Sequence, residues 1–104
     1  MNGRPATPDT KHMSVELGAS QADFRRLFPH VVAPQVIHYQ GLRTSVGWPD
    51  GALLEVELSP EKTRKIGSLR LTYLDVAFSF TGFDSDRVDE FMRRFRLTFH
   101  KGGG

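Results

Sequence analysis

Cysteine is absent from the 104 residues, which removes disulfides, thiolate nucleophiles and thiolate metal sites together. No stretch approaches the roughly 18 consecutive apolar residues of a membrane span, and the N-terminus lacks the apolar core of a secretory signal. Neither sign of charge dominates: 14 Lys and Arg against 12 Asp and Glu leave a net +2, too little to point to a polyanion by itself. There is no Gly-x-Ser-x-Gly elbow and no glycine loop that could cradle a phosphate. The histidines, His12, His30, His38 and His100, share no helical i, i+4 or finger-like spacing, so neither a metal site nor a cofactor is expected. These absences favour a non-catalytic cytoplasmic protein with no membrane attachment.

The residues present describe a folded domain. A hydrophobic fraction of 38% with 25% charged residues is ordinary for a globular chain. A chain of this length can bury roughly 65% of its unfolded surface, enough for one core. Residues 1–12, MNGRPATPDTKH, have no apolar period and are expected to form a flexible arm. His12-Met13 is also what a common cloning site encodes, a reading in which Met13 is the native start. The single domain is then expected over residues 13–101, with a flexible glycine tail at 102–104.

Hydrophobic periodicity divides that domain into elements. MSVELG alternates and reads as a strand with Met13, Val15 and Leu17 on one side. In ASQADFRRLFPHVV, Ser20 and Asp23 form a capping-box pattern, and Phe24, Leu27, Phe28 and Val31 share one helical face. Pro29 has no amide hydrogen and crowds the Arg25 carbonyl, so the helix is predicted to end near Phe28. QVIHYQ and LRTSVGW read as strands on either side of Gly41, and WPDG as a tight turn. ALLEVELS sets Leu54, Val56 and Leu58 on one face against Leu53, Glu55 and Glu57 on the other.

The longest β signal, SLRLTYLDVAFSFTGF, changes parity. Leu69, Leu71 and Tyr73 share a face, whereas Leu74, Val76, Phe78 and Phe80 occupy the alternate positions. A bulge or bend at Tyr73-Leu74 is expected to return both sets to the core. In DSDRVDEFMRRFRLTFHKGGG, the spacing of Val88, Phe91, Met92, Phe95 and Phe99 predicts a helix from Ser85 to Phe99. Asp84 or Ser85 would cap it, and the glycines from Gly102 would end it. RLTFH also alternates and could be a terminal strand.

The resulting order is strand, helix, four antiparallel strands, helix: a two-layer α+β fold. In topology it resembles the TATA-binding-protein-like or helix-grip arrangement. With RLTFH as a strand, a ferredoxin-like sandwich becomes the alternative. The terminal GGG resembles the diglycine tail of ubiquitin-like sulfur carriers. Those carriers run two strands, a helix and further strands, whereas this chain is read as closing on a helix, so the glycines are read as a helix stop.

Three surfaces could carry function. EKTRKIGSLR gathers Lys62, Arg64, Lys65 and Arg70 around a Gly-Ser turn, and the last helix adds Arg93, Arg94 and Arg96. Tyr39, Trp48 and Tyr73 could stack bases beside such a cationic rim. A solubilised hairpin tip and a helix with acids first and bases last explain the same charges without a ligand. Phe78, Phe80, Phe91 and Phe95 could enclose an apolar ligand cavity, although a filled core is the simpler reading. Glu55 and Glu57 read as a solvated strand face. The expectation is a small accessory domain acting through a protein partner or a homodimer across an exposed sheet edge or face. Nucleic-acid binding and apolar-ligand binding are the alternatives.

Overall fold

The computed structural model describes residues 9–103. Alternation makes Thr10–Leu17 strand β1, with its odd-numbered residues half-buried and its even ones exposed. Residues 10–12, assigned by composition to the arm, therefore belong to the first strand. Lys11 Nζ donates to the Phe83 carbonyl at 2.8 Å, and His12 Nδ1 lies 3.1 Å from Ser79 Oγ. Residues 1–8 of the expected arm lie outside the described residues.

Helix α1, Gln21–Val32, starts at the expected capping box. Asp23 N–H donates to Ser20 Oγ at 3.0 Å, and Ser20 N–H donates to Asp23 Oδ2 at 3.3 Å. The helix does not stop before Pro29 but continues through it. Proline inside a helix costs about 3 kcal/mol, while burying one valine side chain contributes about 1.5–3 kcal/mol. Val31 and Val32 are both 2% exposed, so packing of the final turn outweighs the lost hydrogen bond.

Ser20→Ala is expected to lower stability by about 0.5–2 kcal/mol, measured by denaturant titration near neutral pH. The Ser20 N–H, then Arg26, hold the Asp23 carboxyl below the ordinary carboxylate range. A carboxyl with a lower pKa in the folded state stabilises above its unfolded value, about 3.9, and loses that contribution as pH falls through the folded value. The Asp23 contribution should therefore fade only in acid.

Five strands separate the helices: β2 Ile37–Gln40, β3 Arg43–Gly47, β4 Leu53–Leu58, β5 Lys62–Ile66 and β6 Leu69–Thr81. The sequence predicts four; the fifth is the basic segment, which is a strand with a short turn after it. All pairings are antiparallel, in the order β1-β6-β4-β3-β2. Residues 76–81 of β6 lie between β1 and β4, and residues 74–75 pair with β1 alone. Its first part, residues 69–73, pairs with β5 and forms a two-stranded ribbon beyond the main sheet.

Register places the core on one face. Met13, Val15 and Leu17 stand opposite Phe78, Val76 and Leu74, while Leu54, Val56 and Leu58 stand opposite Phe80, Phe78 and Val76. The expected bulge at Tyr73-Leu74 is not needed. β6 continues as one strand, and Leu69 and Leu71 are 63% and 46% exposed on the opposite face. Parity changes because the ribbon has left the core, so its apolar residues are not turned inward.

Helix α2, Ser85–Gly103, packs beside α1 and covers the same sheet face. Asp84 caps it, accepting from Arg87 N–H at 2.8 Å. RLTFH is helical, which removes the ferredoxin-like alternative, and the helix continues past Phe99 to Gly103, through the point where the glycines are expected to end it. Glycine weakens a helix by about 1 kcal/mol without forbidding it. The fold is α+β: a six-stranded antiparallel sheet with two helices. Among the described residues, no helix is long and apolar enough to cross a membrane.

Candidate functional site

The β5–β6 ribbon has two chemically different faces because cross-strand partners share a side. One face carries the pairs Ile66 with Leu69, Arg64 with Leu71 and Lys62 with Tyr73. Its cations are already engaged. Lys62 Nζ lies 2.6 Å from Asp75, and Arg64 reaches across the 4.3 Å-distant Tyr73 ring to both Glu16 oxygens at 3.2 Å. Asp75 and Glu16 hold the Lys62 and Arg64 pKa values above their ordinary ones. What this face leaves free is apolar: Ile66, Leu69 and Leu71 are 55%, 63% and 46% exposed.

The opposite ribbon face holds Lys65 directly across from Arg70. Neither has a carboxylate partner among the described residues. The four ribbon cations therefore do not form one patch. The helix cations are separate again. Arg93 is bound to Glu90 at 2.8 Å, with Arg94 3.9 Å from the same carboxylate, while Arg96 lies near β1. The aromatic rings do not assemble a stacking platform either. Arg25 lies 5.2 Å from Tyr39, Arg64 covers Tyr73, and Arg87 lies 5.7 Å from Trp48.

Phe78, Phe80, Phe91 and Phe95 are buried, and they fill the space between them. Phe78 meets Phe91 and Phe95 edge-on at 5.9 and 5.1 Å, and Phe80 meets Phe91 at 5.4 Å. The clefts lie at the margins of this cluster. One of about 180 Å³ sits between the end of α1, Trp48, Phe83 and Arg87, and includes Phe91. A larger, open one of about 870 Å³ runs between β1 and the C-terminal half of α2, with Phe95 in its wall.

The smaller cleft is closed on one side by an ion pair. Arg87 donates to Asp50 at 2.7 Å and lies 4.6 Å from the Phe83 ring, while Asp50 also accepts from Ala52 N–H at 3.1 Å. Arg87 and the Ala52 amide hold the Asp50 carboxyl below its ordinary range. This arrangement anchors the WPDG turn to α2. Glu55 and Glu57 are exposed, with Glu57 3.6 Å from Arg43. Among the described residues, no group of His, Asp or Glu side chains is placed to hold a metal ion.

Two features escaped the sequence reading. The parity change at Tyr73-Leu74 is the sequence signal of the exposed apolar ribbon face, and in sequence alone it reads equally as a bulge. The β1–α2 cleft had no local signal, because it depends on which strand ends at the sheet edge.

Comparison with the curated proteins and with the solved structures gives no match. Residues 47–104 match the family described as archaeal MoaD-like protein. That segment holds the WPDG turn, the ribbon and the whole of α2, more than half of the molecule. The chain belongs to the archaeal MoaD-like protein family.

Proposed function

We propose that the protein acts as a docking domain that grips a protein partner with its β5–β6 ribbon. The observation behind this reading is the set Ile66, Leu69 and Leu71, exposed together on a ribbon lying beyond the core. A small domain leaves large apolar groups contiguous in water chiefly where another surface covers them. Tyr73 extends the patch, and Lys62 and Arg64 lie over its ring. The matching partner surface is apolar at its centre with a polar rim.

A photo-crosslinking residue placed at Leu71 tests this in cells of the source organism. The expected result is one adduct, absent when the probe is at the exposed sheet residue Glu55 and abolished by Leu69→Asp. No adduct, or the same adducts from both positions, would sink the proposal.

A second reading, polyanion binding, draws support from the uncompensated pair Lys65 and Arg70, joined by the more distant Arg93, Arg94 and Arg96. Its signature is an amide-resolved NMR titration with short single-stranded RNA or duplex DNA. Shifts at residues 62–70 must weaken as salt rises. Still amides would leave the protein partner as the surviving reading.

A further inference from the structure

β1 is an edge strand whose outer side has no pairing strand among the described residues. Its eight residues, TKHMSVEL, contain no proline or glycine and alternate without interruption. Natural sheets usually blunt such an edge with proline, bulges or inward-pointing charge. Here Lys11 is the only charged residue on the helix-side positions of the strand, and it is tied to the Phe83 carbonyl. Beside the edge, Val15, Leu17, Phe95, Leu97 and Phe99 line the 870 Å³ cleft, and Leu97 is 51% exposed.

We propose that a second copy of this chain occupies this edge, its β1 pairing antiparallel with the first β1 about a two-fold axis perpendicular to the sheet. Such an axis keeps the helices of both copies on one side, so each β1 residue meets one of the same parity. Centred on Ser14, the pairing sets Met13 opposite Val15 of the second copy on the helix side. On the open side it sets His12 opposite Glu16. Glu16 is bridged to Arg64 but keeps 49% of its side chain exposed.

Helix α2 supplies a second, independent complementarity. Exposed Asp86, Asp89, Arg93, Arg96 and His100 fall at i, i+3, i+7, i+10 and i+14, along one flank of the helix. Arg96 and His100 of that flank line the cleft beside β1. The two-fold runs the two α2 helices in opposite directions, so the acidic start of each lies toward the basic end of the other. A charge order that reverses along one flank is self-complementary under a two-fold, which makes a second copy a better fit than an unrelated partner. The interface meets the ribbon only through Glu16, which Arg64 bridges, and neither proposal depends on the other.

Light scattering and sedimentation of the full chain from micromolar to millimolar concentration test the proposal. A concentration-dependent doubling of mass is expected. Ser14→Lys sets two like charges opposite each other at the axis, on an exposed position, and should raise the half-dimer concentration by at least about tenfold. Asp89→Arg and Arg96→Asp should each weaken the dimer, and the double exchange should bring it back to within about threefold of the original. Amide spectra of each variant establish that the fold is kept. A monomer throughout, a dimer indifferent to Ser14→Lys, or a double exchange without recovery would each overturn the inference.

Discussion

Phe78→Ala is expected to destabilise the protein by about 3–5 kcal/mol, the range for removing a buried aromatic ring. Phe78 is 1% exposed and stands between Met13 and Val56 on neighbouring strands. Its ring touches Phe80, Phe91 and Phe95, with centroids 5.8, 5.9 and 5.1 Å away. The strands and α2 that hold those neighbours cannot all close in, so much of the vacated space should persist as a cavity. A small domain has only about 5–15 kcal/mol of net stability. In a thermal scan the change corresponds to a midpoint lowered by roughly 15–30 °C. Leu69→Ala, on the exposed ribbon face, should instead stay within about 0.5 kcal/mol of the original. Comparable losses for the two variants would mean that the ribbon is packed and that its apolar face is not free for a partner.

The contrast between these two positions also marks what the sequence could reveal. Alternation at Leu54, Val56 and Leu58 and helical spacing at Phe91, Phe95 and Phe99 identified core faces correctly, because burial leaves a periodic record. The capping box at Ser20 was legible for the same local reason. Pro29 misled, since its local penalty was weighed without the burial of Val31 and Val32, which only the assembled fold supplies. Leu69 and Leu71 misled in the other direction. Apolar residues at strand spacing read as inward-facing, yet these two are exposed. The grouping of cations was legible as composition but not as geometry, because Lys62 and Arg64 point away from Lys65 and Arg70 on a two-sided ribbon.

Gly82→Val is the second large effect, at about 2–4 kcal/mol, and it probes how α2 is seated. Gly82 joins β6 to α2 with φ +78°, a left-handed backbone that costs an ordinary residue about 1–2 kcal/mol. A Cβ there would also lie 3.3 Å from Ala52 Cα, a backbone atom. Ala52 cannot yield alone: its carbonyl accepts from Trp48 N–H at 2.9 Å and its N–H donates to Asp50 at 3.1 Å. Those same residues meet Arg87, so pressure at Gly82 passes to the turn that anchors the start of α2. Overpacking of this kind adds about 1–3 kcal/mol. Gly67 provides the control, with φ +61° and no atom within 4 Å of an added Cβ. Gly82→Ala should therefore cost more than Gly67→Ala, because the backbone term is common to both and only Gly82 meets Ala52. Equal losses would mean that the WPDG turn yields freely and that α2 is held by its phenylalanines alone.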